Sequence, residues 1–433
     1  MARVLLISTY EQGHQPLGIA APAAALIAAG HDVSAFDLAV ESVGSDRLLA
    51  AADEADLIGI STPMHTAARL GIRIARQLIG MSDKIVFYGL AANSLHDLGL
   101  GRAISGDTDL QLVRLAGGDD ASNVPLFDRE LRAVPLRSIL PPLDQYARYR
   151  DVSGVSHFAG YVEATRGCAH RCTHCPLTPI YAGRLRLNGA ETVLADIDQQ
   201  VAAGAEHITF GDPDFLNAPE LAMDLVRETA ARHPGITFDA TIKVEHLIEH
   251  QELLPEVAEL GVTFITSAFE SVDDHLLEIL DKGHSAADLD LVLQLTKRAG
   301  IALRATWLPF TPWTAPAHFL DLLRFIETRE LVDVTPPVQL GLRLLVPSDS
   351  PLVEPMREMG SLVSYDSDGL TWNWRHEDAR MDELQAEIAG LAERQASFSR
   401  IKDAACRRLE AEPWPDVAAP HVHRPGLTED WFC

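Results

Sequence analysis

The chain has 433 residues, enough for two α/β domains and a tail. Its 62 acidic residues against 36 basic ones give a formal net charge of −26, which repels phosphate backbones and anionic bilayers, so neither nucleic acid nor membrane is expected as a partner. No apolar run approaches the ~20 residues that cross a bilayer, and the apolar opening is too brief for a signal peptide and lacks a small-residue cleavage site. Of five cysteines, three crowd together at 168–175. A disulfide framework would spread them, so the pattern points to a metal site in a reducing, cytoplasmic setting.

Residues 1–120 alternate strand and helix. Strands are expected at 4–8, 32–38, 57–61, 84–88 and 103–105, and helices at 19–29, 47–52 and 67–79. Continuous apolar strands separated by helices predict a doubly wound, Rossmann-like parallel sheet, which binds ligands beyond the carboxyl ends of its strands. The polar and glycine-rich segments 9–16, 62–65, 89–93 and 106–109 fall there. Residues 121–158 lack a clear period and read as a connector. A second alternating series fills 159–350. Its strands are expected at 160–164, 207–210, 237–242, 264–268, 303–308 and 338–345, and its helices at 192–203, 218–232, 251–260, 286–299 and 317–328. Six βα units predict a partial (βα)6 barrel of TIM type, with its active site at the carboxyl ends of the strands. Residues 351–433 read as one or two helices from 381 to about 409, followed by a tail.

The segment Glu163-Ala-Thr-Arg-Gly-Cys-Ala-His-Arg-Cys-Thr-His-Cys-Pro176 follows the first barrel strand. Cys168, Cys172 and Cys175 can bind three corners of a cubane cluster and leave the fourth iron open, whereas electron carriers normally take four cysteines. The alternative is a zinc site in which His170 or His174 completes the set.

Cys168-x3-Cys172-x2-Cys175 after a first barrel strand resembles the signature of the radical S-adenosylmethionine (SAM) superfamily. The resemblance implies a [4Fe–4S] cluster whose open iron is chelated by the amino and carboxylate groups of SAM. One electron from an external donor of flavodoxin or ferredoxin type then cleaves the sulfonium, and the 5′-deoxyadenosyl radical takes hydrogen from substrate. His174 stands where the family has an aromatic ring over the adenine. Asp212 and Asp214, in Gly211-Asp-Pro-Asp-Phe215, fall where the family contacts the SAM amino group. Glu270 and Ser271 resemble its ribose contact. Lys243, Glu245 and Arg343 are further strand-end candidates, while His246 and His284 read as loop histidines without a catalytic role.

A doubly wound domain ahead of such a barrel resembles the cobalamin-binding radical SAM class. The Asp-x-His-x-x-Gly motif that supplies a histidine below cobalt is absent, since Thr9-Tyr-Glu-Gln-Gly-His14 stands there. The expectation is cobalamin without a protein ligand beneath cobalt, with His14 and His65 as surface residues. Ser61, Thr62, Gly89 and Gly106 suit its nucleotide tail, glycine for close backbone approach and hydroxyls for hydrogen bonding. The opening segment, residues 207–215 and residues 309–314 resemble the CUAEP/CCAEP-tail subgroup. That subgroup continues beyond the position of Cys433 with Cys or selenocysteine and then Ala-Glu-Pro, so a longer tail is expected. The resemblance implies a methyltransferase acting on a small molecule or peptide. A cobalamin-dependent rearrangement or cyclisation, and a non-catalytic iron–sulfur or zinc redox sensor, are the alternatives.

Overall fold

In the computed structural model, residues 1–119, 133–417 and 424–429 are described. Strands β1 (Arg3–Ser8), β2 (Asp32–Asp37), β3 (Leu57–Ser61), β4 (Ile85–Tyr88) and β5 (Arg102–Ile104) form a sheet of order β2-β1-β3-β4-β5, and every pair is parallel. Alternate residues serve opposite faces, which is why the strands read as unbroken apolar runs. Leu5, Ile7, Ile58, Ile60 and Phe87 pack on one side. Val4, Leu6, Val86, Tyr88 and Ile104 pack on the other, with the helix Leu17–Ala28. The strand order reverses between β1 and β3, so the segments after Ser8 and Ser61 flank the crevice of a topological switch point.

The second sheet has the order β13-β12-β11-β10-β7-β6-β16. Its parallel strands are β7 (Ser156–Val162), β10 (His207–Phe210), β11 (Thr237–Thr241), β12 (Val262–Glu270) and β13 (Ala302–Trp307). Helices Ala190–Ala202, Pro219–Arg232, Ala286–Ala299 and Pro316–Thr328 share one core with them. This is the expected partial barrel, with three differences. First, β6 (Arg148–Arg150), placed in the connector by sequence, pairs antiparallel with β7. Second, no strand forms at 338–345. Pro336 and Pro337, which carry no N–H, accept from Gln339 N and Leu340 N to start a turn, and a single bridge from Phe310 to Arg343 remains. Third, the expected tail returns as β16 (Gly426–Leu427), antiparallel to β6.

That return brings the two edges of the curled sheet together. Arg304 on β13 donates to Pro425 O at 3.4 Å. A Cβ on Gly426 would stand 2.5 Å from Arg304 Nη1, so a glycine permits the approach. Two antiparallel hairpins complete the strands: β8 (Thr165–Gly167) with β9 (Leu185–Leu187), and β14 (Leu362–Asp366) with β15 (Thr371–Trp374). The carboxyl-terminal helices are Ala379–Glu393 and Phe398–Arg408. Cys433 and residues 120–132 lie outside the described residues. Among those described, no helix is long and apolar enough to cross a membrane.

Candidate active site: a three-cysteine loop at the barrel mouth

The chain leaves β7, makes β8, and enters the cysteine loop at Gly167. A Cβ there would lie 2.4 Å from Arg184 O, and φ is +77°, so glycine is required where the hairpin strands draw together. The loop is fastened from both sides. Thr173 N and Oγ1 donate to Leu280 O and Ile279 O at 3.1 and 2.8 Å. Thr178 Oγ1 donates to Cys172 O at 2.8 Å, and Cys175 N to the same carbonyl at 3.2 Å. All three cysteines are free thiols. Burial raises Cys168 and pushes Cys175 up to about 12; a thiol so placed becomes a thiolate by exchanging its proton for a metal. The donor set fits a cluster bound at three corners.

The segment after β10 supplies two aspartates with different fates. Asp212 accepts from Ala164 N, Thr165 N and Thr165 Oγ1 at 3.0, 2.6 and 2.6 Å. Burial pushes it up to about 7. It holds the turn leading into the cysteine loop, and this differs from its expected place on the SAM amino group. Asp214 is fully buried, with His246 Nδ1 at 2.7 Å and His170 Nε2 at 3.5 Å. Burial alone would raise its pKa, but those imidazoles hold it at about 2. Its Oδ2, His170 Nε2 and His246 Nδ1 are buried yet lack a well-aligned hydrogen bond. Such polar atoms beside the loop fit a ligand that both donates and accepts, as the methionine end of SAM does. His246, expected to be an idle loop residue, is thus paired with Asp214 near His170 of the cysteine loop.

Glu270 ends β12 in the left-handed region, at φ +62°, an uncommon conformation for a non-glycine and of the kind concentrated at functional sites. Its carboxylate meets Lys282 Nζ and His174 Nε2, each at 3.1 Å. Against the effect of burial, these partners hold it at about 2. Glu270, expected at a ribose, here holds His174 and Lys282. Lys282 is buried at 4% exposure and lies in the field of Cys172 and Cys175. Ser271 Oγ accepts from Asp273 N at 3.1 Å. Lys243 pairs with Glu245 at 3.2 Å, and His284 faces Phe269 O. Arg343 is engaged elsewhere, on Asp382 at 2.7 Å and over the Trp374 ring at 3.4 Å, because its expected strand does not form.

Sequence reading missed Lys282 and Asn217. Asn217 Nδ2 donates to Cys168 Sγ at 3.4 Å. Lys282 follows a short helix as one cation in a loop. Asn217 stands before Ala-Pro and a helix, where it reads as an ordinary capping residue.

The carboxyl edge of the first sheet faces this loop. His14 stacks on Tyr161 of β7, with centroids 3.5 Å apart at 8°. Asp109 and Asp107, after β5, meet Arg166 and Arg186 of the β8–β9 hairpin at 3.4 and 3.7 Å. His14, expected on the surface, is buried, and burial pushes its imidazole down to about 3. His65 Nε2 is taken by Gly369 O at 2.6 Å. Thr62 Oγ1 donates to Tyr88 O at 3.0 Å, and Gly89 has φ +121° with a Cβ position 2.8 Å from Thr62 O. Thr62 is fully buried with its hydroxyl spent on the Tyr88 carbonyl, and Ser61 stands against Gly18. Gly106 has φ +83°, and beside it Ser105 Oγ is buried without a partner among the described residues, a polar atom suited to a ligand.

Residues 162–323 match the model of the Radical SAM superfamily. The chain carries a radical SAM domain. That domain works with SAM and a [4Fe–4S] cluster, and Cys168, Cys172 and Cys175 have the matching spacing inside the matched segment. Beyond it, the chain is 24% identical over 299 residues to the bacteriochlorophyllide d C-8(2)-methyltransferase of Chlorobaculum tepidum, covering 64% of each. It is 23% identical over 197 residues to the ribosomal protein uS12 methylthiotransferase RimO of Syntrophotalea carbinolica, covering 41% of this chain and 40% of that protein. The chain thus spans about two fifths of the length of this methylthiotransferase relative. The solved structure of the cobalamin-dependent SAM radical enzyme OxsB, with aqua-cobalamin and SAM bound, superposes with a TM-score of 0.70 at 15% identity, covering 89% of this chain and 66% of that one. TsrM, a radical SAM methyltransferase from Kitasatospora setae, superposes with a TM-score of 0.60 at 17% identity, covering 76% and 74%. Those superpositions establish the shared fold of a doubly wound sheet joined to a curled half-barrel.

Proposed function

We propose that the protein is a cobalamin-dependent radical SAM methyltransferase acting on a small molecule or peptide. One observation carries this reading: Asp107 and Asp109, at the carboxyl edge of the first sheet, contact the β8–β9 hairpin that brackets the cysteines. A cofactor in the crevice of the first sheet is thereby brought beside the loop. The methyltransferase relative and the cobalamin-bound neighbours support it.

When bound, the cluster with SAM supplies a hydrogen-abstracting radical, and cobalamin supplies a methyl group. The chain's own residues hold and orient. Cys168, Cys172 and Cys175 provide the thiolates. Asp214, with His170 and His246, would offer its buried polar atoms to the methionine end of SAM. Glu270 fixes the His174 ring, which would stack on the adenine of SAM. Ser61, Thr62, Gly89, Gly106 and Ser105 would stand nearest the nucleotide tail, and His14, stacked on Tyr161, would not serve as a ligand. The resemblance to the CUAEP/CCAEP-tail subgroup rests on the opening, 207–215 and 309–314 segments.

The test needs no substrate. The purified chain is reconstituted anaerobically with iron, sulfide and hydroxocobalamin, reduced, and given SAM labelled in its methyl group. Labelled methylcobalamin together with 5′-deoxyadenosine supports the proposal. Deoxyadenosine without label on cobalamin favours a rearranging or cyclising enzyme. Zinc in place of iron, with SAM intact, favours a redox-sensing protein.

A further inference from the structure

Asn217 is held rigidly beside the first cysteine. It closes the turn Phe215–Asn217, in which Phe215 and Leu216 are buried at 3% and Asn217 N donates to Asp214 O at 3.1 Å. Pro219 opens the next helix two residues later. The backbone can therefore offer the Asn217 side chain little choice of position.

The orientation of its amide is set as well. Ala169 N donates to Asn217 Oδ1 at 3.3 Å. Since only Oδ1 can accept that bond, Nδ2 is the group turned to Cys168 Sγ, at 3.4 Å. Flipping the amide would set N–H against N–H. The amide thus bridges the backbone of the cysteine loop and the sulfur of its first ligand, across 49 residues of sequence.

We propose that Asn217 tunes the reduction potential of the cluster held at Cys168, an inference that rests on reading the three cysteines as cluster ligands. An N–H donated to a ligand sulfur stabilises negative charge there. Adding one electron increases that charge, so the donor favours the reduced form and raises the potential. The electron comes from a one-electron reductant, dithionite in the assay. Partial burial strengthens the effect, because water competes less for the sulfur. Asn217 is in this sense a positioning residue that also sets how readily the centre is reduced.

The experiment compares the reconstituted full chain with Asn217→Leu, which lacks a donor, Asn217→Asp, which puts a carboxylate at the same place, and Asn217→Ser, which returns a smaller donor. Iron and sulfide are counted, and the midpoint potential is followed by electron paramagnetic resonance during a dithionite titration. The expected result is about four irons in each protein with midpoints ordered wild type, Ser, Leu, Asp from highest to lowest. At a fixed potential the ratio of reduced to oxidised cluster in Asn217→Leu falls about tenfold, equal to 59 mV for one electron. Midpoints of the Leu and Asp proteins equal to wild type overturn the proposal. Loss of iron with an unmoved midpoint in the remaining cluster also overturns it, making Asn217 a loop fastener only. Absence of a cluster in the wild type instead removes the underlying reading of the cysteines.

Discussion

Arg137 and Asp196 form a two-bond ion pair, with Nε to Oδ1 at 2.9 Å and Nη2 to Oδ2 at 2.8 Å, both side chains buried. The same guanidinium donates to Gln15 O at 3.1 Å and to Tyr161 O at 2.6 Å. One cation therefore ties the loop after β1, the end of β7 and the first barrel helix. The fork geometry of arginine suits this role, and lysine would not reproduce it. Removing it leaves the buried carboxylate of Asp196 without its cation. Arg137→Ala is expected to cost about 3–5 kcal/mol in denaturant unfolding, and Arg137→Ala with Asp196→Ala less than the sum of the singles. Additive single and double effects would show that the pair does not couple the domains.

Gly211 lies under the Tyr161 ring, and a Cβ there would sit 2.0 Å from Tyr161 Cζ. Nothing as large as a methyl fits while the ring stays stacked on His14. Gly211→Ala is expected to destabilise by about 1–3 kcal/mol. Combined with Tyr161→Ala, the added cost of the alanine should nearly vanish, because the ring it strikes is gone. Undiminished cost in the double variant, measured by thermal unfolding, would place the clash elsewhere.

His14 gives a pH dependence of definite sign. Its folded pKa of about 3 lies below the ordinary 6.5 because burial disfavours the imidazolium. The unfolded chain thus binds the proton more readily. The stability this neutral ring contributes is complete above pH 6.5 and is lost as pH falls toward 3. His14→Phe, which keeps a flat ring on Tyr161, should flatten the fall in that window by up to about 1.4 kcal/mol per pH unit. Identical slopes in wild type and variant would mean that His14 is protonated or exposed in solution. The same variant, with His65→Ala, should leave the absorption spectrum of bound cobalamin unchanged, and a spectral shift would make that histidine an axial ligand.

The cysteines divide sharply by place. Cys168→Ala, Cys172→Ala and Cys175→Ala should each abolish reductive SAM cleavage and lose most of the iron. Cys406, buried at 2% on the core face of the helix Phe398–Arg408, should be replaceable by Ala with iron and cleavage retained. SAM cleavage at the wild-type rate in Cys172→Ala would refute the loop as the cluster site.

The spacing of Cys168, Cys172 and Cys175, and the apolar runs of the parallel strands, were legible because both are local. A loop of eight residues fixes which sulfurs can converge, and a strand covered on both faces needs apolar residues at every position. The doubly wound sheet and the curled barrel follow from such runs alternating with helices. The run at 338–345 misled for a related reason: apolarity marks burial, and Pro336-Pro337 turned the buried segment away from the sheet.

Other features required the tertiary structure. Asp212 and Asp214 are two residues apart, yet one is bonded to the turn before the cysteines and the other faces His170 and His246. Glu270 meets Lys282 and His174, Asn217 meets Cys168, and the strand at Gly426 closes an edge beside Arg304. Composition and period assign a residue to a face of its own element. Which charged or polar group stands opposite depends on how distant elements are curled and stacked, and burial then decides whether that meeting forms an ion pair, an orphaned polar atom or a hydrogen bond to sulfur.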